Sequence, residues 1–100
     1  MNVETFLVAF SSPTRVRVAM LLSGNELTLG DIVQKYQRIH DTPVYRATIY
    51  RAVEGLSEVG LAEKKYDNSR KRITYKLKCD KVIVDFASRT IVFGDRKNLL

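Results

Sequence analysis

Arg46, Thr48, Tyr50 and Arg51 cluster in the middle of this chain, and Lys64, Lys65, Arg70, Lys71 and Arg72 follow soon after. These side chains suit one kind of chemistry, the recognition of a polyanion. A guanidinium can bridge guanine O6 and N7 or bind a phosphate, and a tyrosine hydroxyl can reach a phosphate oxygen. Lysines and arginines that neutralise phosphates release condensed counterions, which gives affinity without regard to sequence. The 100 residues carry 17 Lys and Arg against 11 Asp and Glu, a formal charge of +6. Residues 61–81 hold eight of the basic residues (Lys64, Lys65, Arg70, Lys71, Arg72, Lys76, Lys78 and Lys81) and only Glu63, Asp67 and Asp80 in return. The bland alternative is a solvated charged face, with Tyr50 packed beneath a ribbon and Arg51 paired to Glu54 or Glu58.

Other chemistries find little support. His40, the sole histidine, stands in a polar stretch beside Asp41 and reads as a surface residue. Cys79, the sole cysteine, reads as a small strand residue and can form neither an intrachain disulfide nor a zinc finger. No phosphate loop, nucleophile elbow or zinc-hydrolase signature occurs, so the chain is not expected to be an enzyme. No metal or cofactor is expected. No apolar run approaches the ~20 residues needed to cross a bilayer, and no basic stretch precedes an apolar leader. The expectation is a cytoplasmic protein.

The elements that must position these residues can be read from periodicity and caps. Val3, Phe6, Leu7 and Phe10 form one apolar stripe of a short helix. Ser12 and Pro13 suit the cap and first turn of a second helix running to about Leu22. Its expected buried residues are Val16, Ala19, Met20 and Leu22, and 23–25 (Ser-Gly-Asn) should end it. Thr28 with Asp31 resembles a capping box for a third helix, whose face is Leu29, Ile32, Val33 and Tyr36. Residues 38–42 read as a turn. The next helix is expected over about 42–59, capped at Thr42-Pro43 or later near Tyr45. Its buried stripe is Ile49, Val53, Leu56 and Val59, and Gly60 is its stop. Arg46, Tyr50, Arg51, Glu54 and Glu58 then lie outside that stripe.

Beyond Gly60 the period changes to two. Ile73, Tyr75 and Leu77 alternate with Arg72, Thr74, Lys76 and Lys78, the pattern of a half-buried strand. Residues 61–66 are its expected partner, joined through Asp67, Asn68 and Ser69. Residues 82–86 and 90–93 suit a second hairpin turning at 87–89, with a helix over 81–93 as the rival. Helix, helix, turn, helix, hairpin is the order of a winged helix-turn-helix. The expected fold class is α+β, mainly α, a single domain over 1–100. Its core is about 12–78, and 1–11 and 79–100, the latter rich in β structure, serve as dimerisation extensions.

Residues 10–18 (Phe-Ser-Ser-Pro-Thr-Arg-Val-Arg-Val) with 26–32 (Glu-Leu-Thr-Leu-Gly-Asp-Ile) resemble the opening of ArsR-type repressors. Residues 47–51 (Ala-Thr-Ile-Tyr-Arg) through 59–61 (Val-Gly-Leu) resemble the recognition helix of ferric-uptake-regulator proteins. Both resemblances imply a dimeric winged-helix transcription regulator. Neither carries over a metal site. ArsR metal sensors place cysteines where this chain reads 26–31 without any. Ferric uptake regulators follow the wing with histidines and paired cysteines, where 76–83 keeps only Cys79.

The combined expectation is a sequence-specific binder of double-stranded DNA, acting as a homodimer and repressing by occlusion. The helix over 42–59 would read the major groove through Arg46, Thr48, Tyr50 and Arg51. The wing over 61–78 would hold phosphates through Lys64, Lys65, Arg70, Lys71 and Arg72. The alternatives are a winged helix that binds proteins and an architectural binder that reads only backbone.

Overall fold

In the computed structural model, which describes residues 2–94, caps and turn residues set most element boundaries. The first helix, α1 (Val3–Ala9), opens where the Asn2 side chain accepts a 2.7 Å hydrogen bond from the Thr5 amide. The second, α2 (Pro13–Leu22), starts with proline at its first position, where a missing N–H is harmless. Gly24, at φ +74°, reverses the chain after it. At α3 (Leu29–His40) the capping box is complete. The Thr28 hydroxyl accepts from the Asp31 amide at 3.1 Å, and the Asp31 carboxylate accepts from the Thr28 amide at 3.2 Å. These hydrogen bonds hold the Asp31 carboxyl below the usual carboxylate range.

The fourth helix, α4 (Arg46–Glu58), ends as glycine at 60 requires. Gly60 takes φ +80°, and the Leu61 amide bonds back to the Leu56 carbonyl at 3.0 Å. That six-to-one bond closes the helix and turns the chain into a strand. The strand β1 (Ala62–Asp67) pairs antiparallel with β2 (Arg72–Leu77), bringing Lys64 opposite Tyr75 and Tyr66 opposite Ile73. Leu27 adds an antiparallel bridge to Tyr75 on the other side of β2, with N···O distances of 2.9 and 2.7 Å. A second hairpin, β3 (Lys81–Asp85) with β4 (Thr90–Gly94), realises the hairpin favoured for this segment over a helix.

One buried cluster joins these elements. Val18, Leu22, Ile32, Ile49, Val53 and Leu56 are fully enclosed, with Phe6, Ala9, Tyr36, Tyr75 and Cys79 around them. The stripe expected on α4 is buried at all four positions, Ile49, Val53, Leu56 and Val59. Arg15 ties the helices together. Its guanidinium lies against Gly55 of α4 and donates to the Ala9 carbonyl at 3.1 Å. Arg17 donates to the buried Tyr36 hydroxyl at 3.2 Å.

Several expectations need correction. On α2 the buried face is Val18, Leu21 and Leu22, whereas Val16 and Met20 are exposed. Both sets have helical spacing, and packing against α3 and α4 selects the former. On α1 Leu7 is exposed and Ala9 buried, because only one side of this short helix meets the core and β4. The expected turn at 38–42 falls too early. Helix α3 continues to His40, whose ring lies 4.7 Å from that of Tyr36, and stops at Asp41 in the left-handed conformation, φ 46°. Helix α4 accordingly starts at the later of the two expected caps, Tyr45, rather than at Thr42. In β2 Ile73 is exposed, since the hairpin face it shares with Tyr66 borders open space rather than the core. Cys79 is buried but sits between β2 and β3, not in a strand.

Candidate nucleic-acid interface

The helical period places Arg46, Tyr50 and Glu54 in one row of α4, turned toward the first hairpin. Strand alternation places Lys64, Tyr66, Ile73 and Tyr75 on one face of that hairpin, because 64 pairs with 75 and 66 with 73. The two rows enclose an open groove of about 630 Å³. Its walls hold four basic side chains (Arg46, Lys64, Lys71 and Arg72), and the first residues of α3, Thr28 to Gly30, close one side. The N-terminus of α3, the positive end of its backbone dipole, borders the same space.

Electrostatics divide the nine residues expected to bind. Lys64 forms an ion pair with Glu54 at 3.4 Å, and this contact raises the Lys64 pKa. Both groups keep substantial solvent exposure, so the pair is weak and can yield to a stronger anion. Lys65 faces the other way and meets Glu26 at 3.8 Å, on the opposite face of the hairpin. Arg70 pairs with Asp67 at 3.7 Å within the turn. Among the described residues, Arg46, Arg51, Lys71 and Arg72 have no carboxylate within 4 Å. Arg51 is therefore not paired with Glu54 or Glu58. It is exposed on a neighbouring row of α4 with Ala47 and Glu58, outside the groove, and Thr48 is half-buried.

The hairpin turn is built locally. The Asp67 carboxylate accepts from the Ser69 hydroxyl at 2.7 Å and from the Ser69 and Arg70 amides at 3.1 and 3.3 Å. These bonds lower the Asp67 pKa, the Ser69 hydroxyl contributing most. Lys71 then adopts φ 53°, which directs the chain into β2.

Sequence reasoning did not single out Gly30, Tyr66, Ile73 or Tyr75 as lining residues. Strand alternation from Lys64 would have selected Tyr66, but nothing local says that α3 begins beside the hairpin. Tyr75 is almost fully buried at the groove floor, and burial raises its pKa. Among the described residues no cluster of three or more His, Cys, Asp or Glu is arranged to hold a metal. Nor is any described helix long and apolar enough to cross a membrane.

Among solved structures, the ferric uptake regulator of Francisella tularensis, determined with iron, aligns at TM-score 0.56 and 20% identity over 81% of this chain. The alignment spans 64% of that protein's length, short of two thirds. The ferric uptake regulator of Vibrio cholerae, reported to show a structural rearrangement of its DNA-binding domains, aligns at TM-score 0.60 and 13% identity. That match covers 86% of this chain and 70% of the Vibrio protein. No protein-family model matches the chain, and no curated protein matches it. At these identities the likeness is one of fold.

Proposed function

We propose that this chain is a winged helix-turn-helix regulator of transcription that binds specific sites on double-stranded DNA. The observation that carries this reading is the convergence of Arg46, Lys64, Lys71 and Arg72 on one groove between α4 and the β1–β2 hairpin. In this reading α3 and α4 are the helix-turn-helix, α4 enters the major groove, and β1–β2 is the wing on the neighbouring backbone. Arg51 and Thr48, outside the groove, contact base edges or phosphates from the exposed side of α4. Lys65 and Arg70 add positive potential rather than a fixed contact, since each already has an acidic neighbour.

The regulator acts as a homodimer, with α4 helices about one DNA turn apart, and represses by covering a promoter. Exposed apolar side chains outside the groove support a dimer: Val8 on α1, and Ile83, Phe86 and Val92 on the second hairpin. The fold shared with two ferric uptake regulators is consistent with this class. Metal control is not part of the proposal.

Salt titration with competitor DNA tests the reading. A site-specific regulator loses affinity steeply as salt rises yet retains a preferred sequence selected from random duplexes. Equal affinity for every sequence points to an architectural binder instead. No measurable binding to duplex DNA at low salt overturns the proposal and favours a protein-binding module.

A further inference from the structure

Phosphates account for the cations of the groove, but not for its apolar lining. Tyr66 and Ile73 face each other across β1 and β2, on the same hairpin face as Lys64 and Tyr75. Both line the groove, and they are 55% and 42% exposed. Small apolar surface set among Arg46, Lys64, Lys71 and Arg72 is poorly matched to a protein core or an acyl chain, because either would strand those charges out of water. It suits a polymer in which anionic and apolar units alternate at close spacing. A sugar–phosphate strand has that composition.

We infer that the groove between α4 and the first hairpin seats one strand of the DNA backbone. Its cations hold successive phosphates while Tyr66 and Ile73 rest against the intervening deoxyriboses, and the seat therefore selects deoxyribose over ribose. The inference rests on the duplex-DNA reading and adds a sugar preference to it. The discriminating atom is the 2′-oxygen. Against Ile73 and the ring of Tyr66 a deoxyribose presents only C–H groups. A ribose would press a hydroxyl onto the carbon of Ile73 and the face of the Tyr66 ring, where it loses water. Phosphate contacts alone give no such preference, since phosphates are identical in the two polymers.

The test is a scan of single ribonucleotides, placed one at a time along each strand of the preferred DNA duplex. A lone ribonucleotide leaves the rest of the duplex as DNA, so helix form changes little. The expected result for the natural protein is a short run of adjacent positions on one strand where affinity falls about tenfold, with little effect elsewhere. Tyr66→Thr and Ile73→Thr, which retain strand-compatible side chains, lower affinity for the all-DNA duplex and flatten that run. Uniform tolerance of ribose along both strands overturns the inference while leaving the DNA-binding reading intact. So does an unchanged run in both variants. Failure to bind any duplex overturns both readings together. The scan on the natural protein decides the matter even if a variant does not fold.

Discussion

The guanidinium of Arg46 lies beside Gly30, its Nη1 3.6 Å from the position a Cβ on residue 30 would occupy. Through this contact the start of α4 meets the start of α3, and one wall of the groove closes. The distance is ordinary van der Waals contact, so alanine fits without displacing Arg46. Glycine costs a helix roughly 0.5–1 kcal/mol relative to alanine. Gly30→Ala is therefore expected to raise stability by a few tenths of a kcal/mol up to about that amount in urea unfolding. Gly30→Val, with its branch directed at the guanidinium, should lower DNA affinity toward the level of Arg46→Ala. A stability loss in Gly30→Ala contradicts the packing described.

Arg51 is exposed and, among the described residues, without an acidic neighbour within 4 Å. Its removal thus strands no buried charge, and any effect on binding reports a contact with DNA. Arg51→Ala is expected to weaken binding by roughly 1–3 kcal/mol at the preferred site and by less on random duplex. Equal losses on both would reassign Arg51 to a phosphate. No loss in a folded protein removes α4 from the recognition role.

Lys71 combines a charge at the groove with a left-handed backbone, φ 53°. Asparagine tolerates that conformation better than most residues. Lys71→Asn should therefore keep the turn, leave the melting temperature unchanged or slightly higher, and flatten the salt dependence of binding by about one phosphate contact. The measurement is the slope of log affinity against log salt. An unchanged slope argues that Lys71 touches no phosphate.

The Thr28–Asp31 capping box holds the Asp31 carboxyl below its ordinary value of 3.8 in the folded chain. A depressed folded pKa gives stability that is fully present above the unfolded value. That stability is lost as pH falls through the folded one. Thr28→Ala is expected to destabilise by about 1 kcal/mol at neutral pH, the usual worth of an N-cap. It should also shrink the part of the stability loss below pH 4 that Asp31 contributes, because the hydrogen bonds depressing its pKa are then weakened. Thermal melts of both proteins from neutral to acidic pH check the sign. A steeper acid loss in the variant contradicts it.

Gly55 and Arg15 should be strongly coupled. A Cβ on Gly55 would approach Arg15 Nε to 2.8 Å, so alanine there must move a guanidinium that also bonds the Ala9 carbonyl. In the natural protein the helix-propensity gain of Gly55→Ala, about 1 kcal/mol, is expected to be cancelled or reversed. In an Arg15→Ala background the same change should stabilise by about that amount. A double-mutant cycle by chemical denaturation reads the difference directly. Additive effects mean that Arg15 does not occupy the space above Gly55.

Much of the molecule was legible before any coordinates, wherever the determinant is local or periodic. Pro13, the Thr28–Asp31 pair and Gly60 mark helix ends because each removes or satisfies orphan backbone groups or supplies a left-handed turn within a few residues. The buried stripe of α4 was readable because its other faces are charged or aromatic. In α2 the apolar residues form two competing stripes, and only the position of α3 and α4 chose Val18 and Leu21 over Val16 and Met20. The end of α3 also escaped, since Asp41 breaks the helix without a glycine.

The basic character of residues 61–81 was a property of the sequence alone, and so was its placement on a hairpin. Which cations share a surface was not. Alternation sends adjacent lysines to opposite faces, so Lys64 enters the groove while Lys65 turns to Glu26. Which face meets α4 depends on the Leu27 bridge and on the Leu56–Leu61 bond that sets the angle of the hairpin. Composition and spacing therefore decided that this chain carries a helix with exposed arginines followed by a basic ribbon. Contacts between residues far apart in the chain decided that Arg46, Lys64, Lys71 and Arg72 face one groove, because a side chain's direction in space follows from packing rather than from its neighbours in sequence.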